Sequence, residues 1–163
     1  MEHRRKSLRL KNYDYSLPGS YFITICTRNR IPLLSEIVGG GALDAPSVRL
    51  TDAGIITQKH IERISDLYTD IAVDKYVIMP NHIHMILTIL EETGTSRAPS
   101  PTNSIVAKTV STMKRFIGKE LGYSVFQRSF YDHIIRNEQD YLEIWNYIDT
   151  NPIRWQEDRF YVP

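Results

Sequence analysis

An α+β domain on a split βαβ, or ferredoxin-like, antiparallel sheet is the fold this sequence predicts, and three observations predict it. Runs rich in β-branched and aromatic residues alternate with stretches of helical periodicity in the order β-α-β-β-α-β, with one more helix after them. The chain has 163 residues, 42% hydrophobic and 24% charged, which suits a single domain over 1–163 with a sizeable core. The apolar stretch 71–90 is too long for one strand and carries Pro80-Asn81 in its middle, the mark of two strands joined by a tight turn.

The elements follow in order. YFITICTRNR, residues 21–30, comes after Pro18-Gly19 and reads as the first strand, with the Gly/Pro-punctuated stretch 39–47 as a peripheral loop. Thr51 and Asp52 open a helix to about residue 67, with Ile56, His60, Ile64 and Leu67 along one face. After the paired strands of 71–90, a polar Pro/Ser-rich segment at 91–103 marks a surface loop. A second helix over 104–121 sets Val106, Val110, Met113, Ile117 and Leu121 against the core. Its other face carries Lys108, Arg115 and Lys119, which either solvate the helix or meet phosphates. A fourth strand is expected at 124–131. Asn137, three residues before Asp140, caps a last helix that buries Tyr141, Ile144, Trp145 and Ile148.

Charge is unevenly spread. Arg4, Arg5, Lys6, Arg9 and Lys11 against Glu2 give the first eleven residues +4, leaving −3 for the rest of a chain whose net charge is +1. The arm 1–12 is therefore either a solvated terminus or a phosphate-binding element. One cysteine, Cys26, allows no intramolecular disulfide, and no apolar run reaches the roughly 20 residues of a bilayer span, so the cytoplasm is the expected compartment.

The strand His82-Ile83-His84 carries the chemistry. Alternate side chains share a face, so both imidazoles project together, about 7 Å apart along the strand, and can converge on one ion. On the last helix Tyr147 and Asn151 lie about 40° apart on an edge beside the buried stripe, from which both can reach a common cleft. Pro152 should end helical geometry at Asn151. Each feature also has an ordinary reading, as packed histidines and as a rim tyrosine.

The motifs PNHIHMIL, FQRSFYDHIIRNEQDY and YIDTNP, with the opening YDYSLPGSYFITICTRNR, resemble the single-tyrosine HUH transposases, most closely the bacterial branch associated with repetitive extragenic palindromes (REPs). The likeness runs from about residue 8 to 161. It implies that His82, His84 and Asn151 hold a divalent metal, Mg2+ or Mn2+, and that Tyr147 is the nucleophile. Asn at the amide position is the form expected in that branch, where insertion-sequence relatives more often have Gln. The implied substrate is single-stranded DNA beside hairpins, cut through a 5′-phosphotyrosine link with a free 3′-hydroxyl. The implied setting is a nucleoid-associated cytoplasmic enzyme, monomer or homodimer, with the extension 152–163 (Trp155, Phe160, Tyr161) covering a dimer surface.

Phosphate contacts are expected from Arg4, Arg5, Lys6 and Arg9, from Lys108, Arg115 and Lys119, and from Arg136 in the YDHIIR run. Tyr13, Tyr15 and Tyr21 are candidates for stacking on unpaired bases. Two other classes stay open. One is a binding module that recognises hairpin DNA or RNA without chemistry, and the other is a metal-dependent hydrolase in which water replaces tyrosine.

Overall fold

A computed structural model describes residues 18–90 and 104–163. The arm with Arg4, Arg5, Lys6 and Arg9, together with Tyr13, Tyr15 and the loop 91–103, lies outside the described residues. Strand β1 (Gly19–Cys26) leads to a hairpin of β2 (Ser35–Val38) and β3 (Ser47–Leu50), then α1 (Asp52–Glu62) and α2 (Ile64–Leu67). Strands β4 (Ile71–Ile78) and β5 (His82–Ile89) follow, then α3 (Ile105–Leu121), β6 (Tyr131–Ile135) and α4 (Glu138–Thr150). The main sheet has the order β4-β5-β1-β6 and is antiparallel throughout, so the expected split βαβ is present and β5 is central.

Alternation divides the sheet into two faces. Tyr21, Ile23 and Ile25 of β1 join Ile83, Met85, Leu87 and Ile89 of β5 beneath α1 and α3, where Ile61, Val106, Val110, Met113 and Ile117 complete the main core. The intervening residues face the other way, and there Ile86 packs with Ile144 and Ile148 of α4, flanked by Phe22, Val77, Tyr141 and Trp145. Two helices therefore cover one face and the last helix covers the opposite one. The register pairs Cys26 with His82 and Thr24 with His84, which seats both histidines on the α4 face.

Caps follow the sequence closely. Thr51 accepts a hydrogen bond from Gly54 N (3.1 Å), Ser104 from Ala107 N (3.1 Å) and Asn137 from Asp140 N (2.8 Å), satisfying amides that a first helical turn leaves free. At the other end of α3, Gly122 takes the left-handed conformation (φ 79°) and its N–H closes on Gly118 O.

Four expectations are corrected. The helix expected over 51–67 breaks at Arg63, and its buried side is Ala53, Gly54, Thr57, His60 and Ile61, while Leu67 is exposed. Small residues face inward because α1 approaches the backbone carbonyl of Leu34 closely. The segment 39–47 is the tip of the β2–β3 hairpin, whose strands the sequence reading did not separate from loop. The fourth strand begins at Tyr131 and not at 124, since Gln127, Arg128 and Ser129 turn their carbonyls onto Lys114 Nζ (2.8, 3.0 and 3.5 Å) instead of joining the ladder. Asn151 keeps helical dihedrals (φ −58°, ψ −41°) despite the proline after it, because α4 unwinds only in the turns beyond.

Gly54 makes the close approach testable. A methyl group there would overlap Leu34 O, which already accepts from Thr51 N (3.0 Å). Since that neighbour is backbone and cannot swing away, Gly54→Ala is expected to cost about 3 kcal/mol and lower Tm by roughly 10 °C in a thermal melt, against the usual gain from adding Ala to a helix.

Candidate active site

The site starts at the Pro80-Asn81 turn, closed by Met79 N donating to His82 O (2.8 Å). Asn81 is fully buried, and its Nδ2 donates to Phe160 O (2.7 Å) and Arg30 O (3.2 Å). Both amide hydrogens are thereby used on carbonyls, so its Oδ1 is the atom that meets His82 Nδ1 at 2.9 Å. That nitrogen must carry the proton, which leaves His82 Nε2 as a lone pair. His84 is fixed from β1, its Nδ1 2.8 Å from Thr24 Oγ1. The two rings are 4.5 Å apart and both are buried, as the alternating pattern requires.

Helix α4 supplies the rest. Tyr147, 40% exposed, stands edge-on to Phe22 and brings its hydroxyl to 3.5 Å from His84 Nε2. Asn151, one turn on and buried, donates from Nδ2 to Asp158 Oδ2 (3.1 Å). The same carboxylate oxygen lies 3.8 Å from His82 Nε2, and Asp158 Oδ1 accepts from Phe160 N (2.7 Å). His82, His84 and Asp158 each offer a ligand atom, all within 4.8 Å of one another.

These residues fit a divalent cation. His82 Nε2 and Asn151 Oδ1 are buried and have no hydrogen-bond partner, and such orphaned atoms carry a penalty of about 1–3 kcal/mol each unless something accepts their lone pairs. Two imidazoles, an amide oxygen and a carboxylate suit Mg2+ or Mn2+, and the donor types also accommodate zinc.

Electrostatics favour the neutral, ligating form of the pair. Burial pushes His82 down to about 4, with nearby Asp158 partly offsetting it and Arg159 and Arg30 adding to it. Burial, then His82 and Arg159, hold His84 well below the ordinary histidine range. Burial, reinforced by Asp158, raises the Tyr147 phenol, against a hydrogen bond from Asn151 and the charge of Arg159. Tyr147 is therefore protonated at neutral pH.

The depressed histidine value has a stability consequence. An unfolded histidine takes up its proton near pH 6.5, whereas folded His82 resists until about 4, so the unfolded state binds more protons between those values. Stability is expected to be full above pH 6.5 and to fall by something on the order of 3 kcal/mol as pH drops toward 4. Urea melts of metal-free protein at pH 7 and pH 4.5 test this, and equal midpoints would refute it.

His82, His84, Tyr147 and Asn151 thus meet in one place. Lys108, Arg115 and Lys119 do not join them, being exposed on α3 across the sheet from the histidines. Arg136 is exposed between β6 and α4, its N–H on Asp140. Competing residues are otherwise engaged. Tyr141 donates to Asp74 (3.0 Å) and burial with that carboxylate pushes it up to about 12, while Asp140 pairs with His133 (2.9 Å) at the far end of the helix. Sequence reading missed Asp158, Asn81 and Thr24 as site residues. Only Thr24 had a signal, the register between β1 and β5.

An antiparallel four-stranded sheet with α1 and α3 on one face and α4 on the other is a fold shared with a solved tyrosine transposase. One solved structure of similar fold, a REP-associated tyrosine transposase bound to a REP hairpin, superposes with a TM-score of 0.64 at 22% identity, covering 90% of this chain and 73% of its own. The resemblance read from the sequence is thus borne out in the fold. An uncharacterized protein of Haemophilus influenzae is 34% identical over 98% of this chain and 94% of its own length, and the chain belongs to the same family as that protein. No family model matches the sequence. Among the described residues no helix is long and apolar enough to cross a membrane.

Proposed function

We propose that the chain is a metal-dependent endonuclease and strand transferase that cuts single-stranded DNA beside hairpins, with Tyr147 as nucleophile. The observation that carries this reading is Tyr147, 40% exposed with its hydroxyl 3.5 Å from His84 Nε2, beside a buried set with two orphaned polar atoms. The hairpin-bound transposase of the same fold supports the choice of substrate.

His82, His84 and Asn151 would hold the ion, with Asp158 as a further ligand that also orients the Asn151 amide. When bound, a divalent ion supplies charge neutralisation at a phosphate oxygen and polarises the phosphorus. Asn81 keeps His82 in the tautomer with a free Nε2, as a hydrogen-bonded amide does for many ligating histidines. Burial keeps both rings neutral. The Tyr147 oxygen gives its proton to water and attacks phosphorus, the bond to the 3′-oxygen breaks, and that oxygen takes a proton from water to leave as a 3′-hydroxyl. A phenolate is a good leaving group, so a 3′-hydroxyl can reverse the step without an external energy source.

Covalent trapping tests the reading. Protein is incubated with labelled hairpin oligonucleotides from the DNA flanking its own gene, with Mn2+ or with chelator, and run on a denaturing gel. A metal-dependent adduct is expected. Binding without adduct or cleavage would make it a non-catalytic hairpin module, and cleavage without adduct would make water the nucleophile.

A further inference from the structure

Two arginine-bearing segments almost a hundred residues apart in sequence lie side by side. Thr27 and Phe126 form an antiparallel bridge, Arg28 N donates to Val125 O (2.8 Å) and Gln127 N to Cys26 O (2.9 Å). Between them opens a cleft of about 690 Å³ lined by Arg28, Asn29, Arg30, Gln127, Arg128 and Ser129. It has no acidic residue in its lining, and among the described residues no carboxylate pairs with Arg28, Arg30 or Arg128. Three guanidinium groups brought together without counter-charge repel one another, an arrangement that gains most from an anionic ligand.

Both walls are held in shape. Asn29 and Arg30 have φ of 54°, the left-handed region that costs a side-chain-bearing residue about 1–2 kcal/mol, and strain of this kind clusters at binding sites. The opposite wall is clasped by Lys114, whose ammonium gathers the carbonyls of Gln127, Arg128 and Ser129.

The cleft is continuous with the catalytic centre. Asn81, which orients His82, also binds Arg30 O. The Arg30 and Arg159 guanidiniums lie over the Phe160 ring at 5.2 and 4.6 Å, and that ring is 4.7 Å from His82. Beside the neutral histidines and the Asp158 carboxylate, a line of guanidinium groups therefore runs from Arg159 and Arg30 to Arg28 and Arg128. We infer that this cleft binds the sugar–phosphate backbone of the single DNA strand adjoining the scissile phosphate. The inference rests on the function proposed above and adds the path of the strand.

The test is salt-dependent binding of a fluorescein-labelled oligothymidylate of about 20 nucleotides, which has no hairpin, read by anisotropy for the wild-type chain and for R28Q/R128Q. Loss of two phosphate contacts is expected to reduce the slope of log K against log salt by about 1.4 and to weaken binding about 25-fold at 0.1 M salt. Both residues are exposed, so the thermal melt should be unchanged. The exposed Arg63, at the α1–α2 junction, is the control: R63Q should keep the wild-type slope. An R28Q/R128Q affinity within twofold of wild type with a slope lowered by less than about 0.7, the share of one contact, an equal loss per charge in R63Q, or no binding by the wild type would each overturn the assignment. The trapping gel, run in parallel, separates the two ideas. Adduct formation with an unaltered slope sinks the cleft alone, and an altered slope without adduct sinks the tyrosine chemistry alone.

Discussion

Tyr147→Phe is expected to abolish covalent capture of hairpin DNA, a loss of at least about a thousandfold, while leaving the fold and DNA affinity nearly intact. The ring does the packing, edge-on to Phe22 and against His84, and phenylalanine keeps it. The hydroxyl lies 3.5 Å from His84 Nε2, at the limit of a hydrogen bond, and Tyr147 is partly open to solvent. Its removal should therefore change stability by no more than about 0.5 kcal/mol. A denaturing gel and a thermal melt on the same preparation read both quantities. An adduct that survives the substitution would transfer the role to another residue, and cleavage that survives without an adduct would assign it to water.

Removing a histidine attacks the other half of the chemistry. His82→Ala should lower Mn2+ affinity by at least about a hundredfold, since it deletes a ligand nitrogen whose tautomer the surrounding structure has already set. It should also make the acid limb of the stability curve shallower, because one of the two buried histidines that resist protonation below pH 6.5 is gone while His84 remains. Isothermal titration with Mn2+ checks the first effect and urea midpoints across pH check the second. Unchanged Mn2+ affinity would remove His82 from the ligand set, whatever happened to stability.

What was legible in the sequence was what short-range periodicity encodes. The His82/His84 pair, the Pro80-Asn81 turn, the α3 stripe and the α4 stripe all depend on residues a few positions apart, and each is where the spacing puts it. Of the α1 stripe, His60 and Ile64 are buried and Ile56 packs against the core, but Leu67 is exposed, and Gly54 and Thr57 join the buried side because burial there is decided by how near the helix can come to the Leu34 backbone. Residues 124–129 have the composition of a strand, yet they make only a single bridge, Phe126 to Thr27, before Lys114 takes the carbonyls of Gln127, Arg128 and Ser129. Asp158 and Asn81 escaped because their partners, Asn151 and Phe160, reach them only through the fold of the last dozen residues. The Arg28/Arg128 cleft is of the same kind, a meeting of distant segments that no local pattern announces.

The placement of α4 on its own face of the sheet has a consequence for how the molecule fluctuates. Among the described residues, three buried apolar side chains join this helix to the sheet, against twenty in the main core between the sheet and α1 and α3. The remaining ties to β4 are polar and partly exposed, Lys75 to Asp149 and Tyr141 to Asp74. Local opening free energies scale with buried apolar area, so α4 is expected to detach as a separate cooperative unit below the global unfolding free energy, which native-state hydrogen exchange of its amides would read. The histidines sit on a central strand expected to open only with the whole domain. Tyr147 and the two histidines would thus belong to different foldons, so that the tyrosine could leave and return while the floor of the cleft stays formed.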